Sequence, residues 1–121
     1  MALVTVSLGE DGSLLDGLAD RVDGIVVVSL GAGQVPQNMV PALGGLADRV
    51  PVVLASRTGA GLAATYGFPG SEKDLLSRGL VRTGFLDPFK ARILLRALLA
   101  AGHDHGAVLE AFAIAGGYAA P

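Results

Sequence analysis

The chain contains no cysteine and no tryptophan among its 121 residues. Without cysteine it forms neither a disulfide nor a thiolate metal site, which suits a reducing compartment. Charged residues make up only 17% of the chain and the formal net charge is -2, so a basic surface for nucleic acid is not expected. No apolar run reaches the ~20 residues of a transmembrane helix. The first residues carry no basic segment of a secretory signal. These absences predict a cytoplasmic protein that binds neither nucleic acid nor membrane.

The length and the apolar content describe what is present. The chain is close to the commonest domain size of about 100–150 residues, so we expect residues 1–121 to form a single domain. Apolar residues make up 51% of it and glycine occurs 18 times. The charged fraction lies below the usual value of about 25%. We therefore expect some apolar surface to be covered by another domain or by another subunit.

A short internal repeat indicates the architecture. The sequence Gly-Leu-Ala-Asp-Arg-Val occurs at residues 17–22 and again at residues 45–50. Each copy ends a helical pattern and is followed by a β-branched run, at 25–28 and 52–54. Continuous valine and isoleucine runs are typical of strands buried on both faces of a parallel sheet. The sequence therefore predicts an α/β fold, a small parallel sheet of about four strands with helices on both faces.

The expected elements alternate along the chain. Strands are predicted at residues 3–8, 25–30, 52–55 and 80–82. Helices are predicted at residues 13–21, 37–47, a short segment from Ser71, 88–101 and 104–115. In the fourth of these helices the apolar spacing predicts a core stripe of Phe89, Ile93, Leu94, Ala97 and Leu98. Leu95 and Leu99 lie off that stripe, which indicates a helix buried on more than one side.

Two glycine-rich loops follow predicted strands, at residues 31–36 and 56–61. The carboxyl ends of parallel strands are where ligands bind, and adjacent strand ends bring such loops together. The first loop begins like a dinucleotide fingerprint, but Pro36 stands in place of the third glycine, which favours a tight strand-to-helix turn. In the second loop Arg57 could bind a carboxylate, and Ser56 or Thr58 could donate hydrogen bonds. The alternative, that Arg57 closes the loop or pairs at a subunit contact, stays open.

Other residues with reactive side chains have simpler explanations. His103 and His105 resemble a metal pair, but they lie at a helix boundary without a third ligand nearby, so a solvated helix cap is favoured and no metal is expected. Thr58 and Thr83 each precede a glycine and have no neighbouring base. Glu72, with Asp74, lies in a first helical turn, a position that capping explains. We expect no catalytic residue and no cofactor in this chain.

Several segments, taken in order, resemble one family. They are the loop Gly-Ala-Gly-Gln-Val-Pro at 31–36, Ser-Arg-Thr-Gly at 56–59, Tyr-Gly-Phe-Pro-Gly-Ser-Glu-Lys-Asp-Leu at 66–75, Leu-Asp-Pro at 86–88 and Lys-Ala-Arg at 90–92. This combination resembles the C-terminal domain of bacterial L-asparaginases, including actinobacterial-type members. The resemblance covers nearly the whole chain and implies a Rossmann-like domain.

The resemblance also implies an incomplete enzyme. Family members hydrolyse L-asparagine to aspartate and ammonia, and their catalytic threonines, lysine and aspartate lie in an N-terminal domain. The Thr-Gly-Gly-Thr and His-Gly-Thr-Asp-Thr motifs of that domain are absent from this sequence. We therefore expect the N-terminal catalytic domain to be absent and the chain to be inactive alone. The implied partners are such a catalytic domain and further copies of the chain in a homo-oligomer.

The resemblance implies roles for individual residues. The asparagine of the family's Gly-x-Gly-Asn loop, which reaches the amino-acid end of the substrate, aligns with Gln34. Some members contribute a glutamate from the segment before the Lys-Ala-Arg helix, and Glu72 is the nearest candidate. Arg57 matches the family's Ser-Arg pair and is expected to be structural or interfacial, with Ser56 and Thr58 in the same loop. The implied ligand is L-asparagine or L-aspartate.

Two other functions remain open at the level of the sequence. The chain could be a stand-alone module that binds an amino acid at Gln34 and Arg57 or regulates a full-length enzyme by docking. It could also be a noncatalytic remnant of a split or truncated gene.

Overall fold

A single parallel sheet organises the protein. The computed structural model describes residues 1–31, 33–56 and 69–118. Within them the strands β1 (Ala2–Thr5), β2 (Ile25–Ser29), β3 (Val52–Ser56) and β4 (Val81–Arg82) pair in the order β1-β2-β3-β4. All three pairings are parallel, and every residue of β2 is buried. The predicted four-stranded parallel sheet is confirmed.

The described residues form four α-helices and three 3-10 turns in addition to the strands. The helices are α1 (Val40–Ala47), α2 (Glu72–Ser77), α3 (Pro88–Ala100) and α4 (His105–Ala115), and the 3-10 turns are Ser13–Leu15, Leu18–Asp20 and Gln37–Met39. The prediction of one helix over 13–21 was wrong. Gly17, in the left-handed conformation with φ of 70°, separates two short turns there, and an α-helix cannot continue through such a residue. The first strand also ends at Thr5, before the predicted residue 8.

The strand order determines how the two faces are covered. Crossovers between parallel strands are right-handed, so three crossovers in one direction place their connections on the same face. One core cluster indeed joins the connecting segments to the sheet through Leu15, Met39, Val40, Leu43, Leu75 and inward residues of β2 and β3. The opposite face is covered by the two C-terminal helices, through Ala91, Leu95, Val108 and Phe112. Helices on both faces are thereby confirmed.

Helix α3 packs on the sheet with a different face from the predicted one. Its buried residues are Pro88, Ala91 and Leu95, whereas Leu94, Leu98 and Leu99 are partly buried. The predicted stripe was wrong at Phe89 and Ile93, which are 67% and 63% exposed, and at Ala97, which is also exposed. Leu95 and Leu99 pack instead over Gly24, just before β2, where a Cβ would lie 2.6 Å from Leu99 and 3.2 Å from Leu95. The missing side chain lets these two leucines pack onto the sheet.

Large apolar side chains remain exposed on several elements. They are Leu8, Leu14, Phe85, Phe89, Ile93, Leu109 and Ile114. This distribution agrees with the apolar surface expected from the low charge content. Among the described residues, none of the helices is long and apolar enough to cross a membrane.

Candidate functional site

The loop after β2 forms a tight turn at the carboxyl edge of the sheet. The backbone N–H of Gln34 donates to the carbonyl oxygen of Leu30 at 2.9 Å, and that of Leu30 donates to the carbonyl oxygen of Gln34 at 2.8 Å. Gly33, with φ of 94°, lies inside this turn. The predicted strand-to-helix turn is therefore present, and it presents Gln34 at the edge of the sheet where ligands of parallel sheets bind.

Helix α2 is attached to this loop through its first residues. The N–H of Val35 donates to the carbonyl oxygen of Gly70 at 3.0 Å. Ser71 caps the helix by accepting from the N–H of Asp74, whose carboxylate accepts from the N–H of Gly70 at 2.9 Å. That backbone hydrogen bond is the main reason that the pKa of Asp74 is lowered, and the side chain of Arg78 adds to it. Capping explains Asp74, as the sequence predicts.

Glu72 has a different environment from Asp74, although both lie in the same turn. Its side chain is only 14% exposed and lies against Gly33. A Cβ on Gly33 would lie 2.7 Å from Glu72 Oε2 and 3.0 Å from Glu72 Cβ, so only glycine permits this approach. Burial raises the pKa of the Glu72 carboxyl, and the charge of Arg82 partly opposes that change. The structure therefore brings Glu72 directly to the loop that carries Gln34.

Arg82 and Tyr118 form the rest of this cluster, and sequence reasoning missed both. Arg82 Nε lies 3.9 Å from Glu72 Oε1, and the guanidinium carbon lies 4.2 Å from the centre of the Tyr118 ring. The Tyr118 hydroxyl donates to the Arg82 carbonyl oxygen at 2.6 Å. Burial also raises the pKa of Tyr118. The one sequence signal for Arg82 was its place in the last predicted strand.

Ser56 connects the ends of two strands. It is the last residue of β3, and its hydroxyl donates to the carbonyl oxygen of Gly31 in the loop after β2. Between the same two strands, the hydroxyl of Ser29 at the end of β2 donates to the carbonyl oxygen of Ala55 in β3 at 2.7 Å. The expected proximity of the two loops is thus present at Ser56. The predictions for Arg57 and Thr58 lie outside the described residues.

The histidines lie at the opposite edge of the sheet. His103 and His105 are exposed, and the Asp104 carboxylate between them caps α4 by accepting from the N–H of Ala107 at 2.9 Å. An open cavity of about 410 Å³ lies beside them, and its lining includes Asp48, Arg49 and Arg78. The predicted solvated cap is confirmed. Within residues 1–31, 33–56 and 69–118, metal-ligating side chains do not gather in groups of three or more.

Thr83 is also accounted for by packing. It follows β4 directly and is 2% exposed. Its carbonyl oxygen would lie 2.3 Å from a Cβ on Gly116, so the segment after α4 packs closely on this backbone. The backbone of Thr83 is thus closely packed, and the interpretation of its side chain as that of an ordinary loop threonine stays a prediction.

Three solved structures that resemble this chain are L-asparaginases. The thermostable L-asparaginase from Thermococcus kodakarensis superposes with a TM-score of 0.83 at 22% identity, over 99% of this chain and 38% of that protein. L-asparaginase I from Vibrio cholerae gives a TM-score of 0.77 at 20% identity, over 92% and 34%. The probable cytoplasmic L-asparaginase from Campylobacter jejuni gives 0.74 at 29% identity, over 92% and 34%. At these identities the first two comparisons establish the fold.

Sequence comparisons identify the family. A probable L-asparaginase from Deinococcus radiodurans is 36% identical over 105 residues, which make up 86% of this chain and 32% of that protein. The chain therefore spans about a third of the length of this relative. The model of the glutaminase/asparaginase C-terminal domain matches residues 1–112. The resemblance seen in the loop, cap and helix motifs is thereby confirmed, and the chain belongs to the glutaminase/asparaginase C-terminal domain family.

Proposed function

We propose that this domain completes the substrate site of a neighbouring L-asparaginase catalytic domain and is inactive alone. The observation that carries the proposal is the packing of Glu72 against Gly33, which places a poorly solvated carboxylate beside the loop of Gln34. By resemblance, Gln34 aligns with the asparagine of the family's Gly-x-Gly-Asn loop, and Glu72 is the nearest candidate for the glutamate that some members contribute. The packing of Glu72 beside the turn of Gln34 supports a shared role for the two residues.

The two side chains suit the amino-acid end of asparagine. A carboxylate forms a charge-assisted hydrogen bond with an α-ammonium group, and such bonds strengthen where water is excluded. The Gln34 amide can donate to an α-carboxylate, and its extra methylene relative to asparagine extends its reach. In this proposal Glu72 and Gln34 bind and orient the substrate. Nucleophilic threonine chemistry and oxyanion stabilisation belong to the catalytic domain.

The proposed partners follow from the same arrangement. A catalytic domain of the asparaginase type would face the carboxyl edge of the sheet, and further copies of the chain would form a homo-oligomer. The exposed apolar residues Phe89 and Ile93 on α3 support burial against another protein surface. The solved relative from Campylobacter jejuni is named a cytoplasmic L-asparaginase, which supports the same compartment for this protein.

An ammonia-release assay tests the proposal. The chain is assayed with L-asparagine alone and then mixed with a separately expressed N-terminal domain of the Deinococcus radiodurans relative. We expect ammonia release in the mixture and none above background from either part. Glu72→Gln and Gln34→Ala are each expected to lower turnover roughly tenfold or more, since each removes a hydrogen bond to a charged group. Glu110→Gln, on the exposed side of α4, is the matched control and should leave turnover unchanged.

Two outcomes would contradict the proposal. Ammonia release by the chain alone would mean that it holds a nucleophile, and Thr58 and Thr83 would then be replaced first. No release from a mixture of two folded parts would favour a binding module or a noncatalytic remnant. Calorimetric titration of the chain with L-asparagine and L-aspartate separates these two, because only the binding module gives saturable heat.

A further inference from the structure

Arg82 approaches Oε1 of the Glu72 carboxylate, and the ring of Tyr118 stacks on Arg82. Arg82 ends β4, and Tyr118 follows α4, so two elements that are distant in the sequence contribute the pair. The Tyr118 hydroxyl holds the Arg82 backbone, and its ring lies under the guanidinium. These contacts restrict a long side chain that otherwise has many rotamers. Arg82 is thus held where its charge faces Glu72.

The geometry of the Arg82–Glu72 pair distinguishes it from a closed salt bridge. At 3.9 Å, Arg82 Nε is too far from Glu72 Oε1 for a hydrogen bond, so the interaction is an attraction between charges. A bidentate arginine would occupy both carboxylate oxygens. Here Arg82 supports the negative charge and leaves those oxygens free of its own hydrogen bonds. A ligand ammonium group can then use them.

The other charged groups near Glu72 are directed elsewhere. On the same helix, Asp74 is held by the N–H of Gly70 and by Arg78. From the described part of the loop after β2, the uncharged Gly33 lies against the carboxyl group. From the segment after α4 the facing group is the Tyr118 phenol, which is neutral far above neutral pH because burial raises its pKa. Arg82 is therefore the cation that faces Glu72 among the described residues.

We propose that Arg82, braced by Tyr118, is a positioning residue that holds the Glu72 carboxylate charged and oriented at the Gly33–Gln34 turn. The importance of this arrangement for substrate rests on the proposed function, but the arrangement itself does not. Arg82 acts through Glu72 and does not contact substrate. Its loss is expected to leave the Glu72 carboxylate less firmly oriented and harder to ionise, because burial then acts on the carboxyl group without the compensating cation.

Nuclear magnetic resonance titration of the chain tests the arrangement directly. Carbon-13 labelling of glutamate reports the side-chain carboxyl of Glu72, which Glu72→Gln assigns by the loss of its signal. In Arg82→Met we expect the titration midpoint of Glu72 to move to higher pH. Arg82→Lys, which keeps the charge, should return it most of the way to the wild-type position. Tyr118→Phe, which keeps the ring and loses the hydrogen bond, should cause a smaller move in the same direction.

A matched control separates the local effect from a change in net charge. Arg96→Met removes the same side chain from the exposed face of α3 and should leave the titration of Glu72 unchanged. Arg82→Gln is measured beside Arg82→Met, so that at least one variant without the charge is folded. Amide spectra show whether each variant is folded. An unchanged Glu72 midpoint in a folded variant without Arg82 would overturn the proposal. So would a shift of equal size in Arg96→Met.

Kinetics of the reconstituted enzyme extend the test to function. Loss of Arg82 should raise KM for L-asparagine roughly three- to tenfold with a smaller effect on kcat, and should move the acid limb of the pH profile upward. Arg82→Lys should return the KM and the acid limb of the pH profile toward their wild-type values. If the wild-type mixture releases no ammonia, the proposed function fails, and the Glu72 titration still decides the role of Arg82. If the mixture is active and neither KM nor the pH profile responds to loss of Arg82, the positioning role is wrong.

Discussion

The two edges of the sheet both carry charged side chains and glycines, yet they differ in solvation. At the carboxyl edge, Glu72 is mostly buried and packs against a glycine that admits no side chain. At the amino edge, His103 and His105 are exposed beside an open cavity, and Arg49 pairs with Asp20 in an exposed ion pair. A cluster of charges alone therefore does not indicate a site. Removal of water from one charge and close approach of the backbone distinguish the carboxyl edge.

The largest expected effect tests the backbone contact at the carboxyl edge. A Cβ on Gly70 would lie 2.4 Å from the carbonyl oxygen of Val35, and the residue has φ of 85°. Gly70→Ala should lower the free energy of unfolding by more than about 3 kcal/mol, since backbone must move. Gly102→Ala is the control at the amino edge, with φ of 81° and nothing within 4 Å. It should cost only about 1–2 kcal/mol. Urea denaturation measures the free energy of unfolding of the two variants. Equal losses in Gly70→Ala and Gly102→Ala would contradict the expected difference between the edges.

The next effect concerns the position of Glu72. Gly33→Ala forces the carboxylate away, whereas Gly31→Ala in the same turn meets nothing within 4 Å. Both glycines have positive φ, so both variants carry backbone strain, and only the first displaces Glu72. Gly33→Ala should lower ammonia release by the reconstituted enzyme roughly tenfold more than Gly31→Ala. A similar loss in the two variants would show that strain in the turn, and not the contact with Glu72, controls activity.

Replacement of the helix caps should have a smaller effect on stability, of similar size at the two edges. Ser71 caps α2 at the carboxyl edge and Asp104 caps α4 at the amino edge. Replacement of either by alanine should lower the free energy of unfolding by about 1 kcal/mol in thermal or urea unfolding. Only Ser71→Ala should also alter the Glu72 titration, because α2 carries Glu72 as its first residue. A change of that titration in Asp104→Ala would mean that the edges are coupled through the sheet.

The smallest effect is the pH dependence of stability. Because burial raises the pKa of Glu72 in the folded protein, the native state holds its proton more tightly than the unfolded state does. The free energy of unfolding therefore falls as the pH rises from 4.5, the ordinary pKa of the glutamate carboxyl, through the raised pKa of Glu72 in the folded protein. Asp74, with a lowered pKa, acts in the opposite sense and loses stabilisation as pH falls through its folded pKa. Glu72→Gln should flatten the fall above pH 4.5 in urea unfolding, and an unchanged slope would contradict this assignment.

The sheet and most helices were predictable because their signals are local. Valine and isoleucine runs marked β2 and β3, and Asp87 followed by Pro88 marked the start of α3. The prediction of a helix over 13–21 was wrong because a helical apolar pattern does not reveal that Gly17 adopts the left-handed conformation. The prediction of the buried face of α3 was wrong because the sequence of a helix with apolar residues on several sides does not show which side faces Gly24.

The candidate site was only partly predictable for a related reason. Family resemblance pointed to Gln34 and Glu72, while spacing alone explained Glu72 by capping. The Glu72–Gly33 contact depends on how the start of α2 packs on the loop after β2, which no local pattern encodes. Arg82 and Tyr118 are 36 residues apart, and neither belongs to a motif. Such long-range pairs appear only when both faces of the sheet have been assembled.

The sequential strand order has a consequence for ligand binding. Open α/β sheets form a crevice where neighbouring connections leave toward opposite faces, and this happens where the order of strands reverses. The order β1-β2-β3-β4 has no such reversal. The connections between the strands would therefore cover a small molecule at the carboxyl edge from one side only, and its other side would stay open to solvent. Tight capture of a free amino acid would require a second wall, which another polypeptide surface must supply.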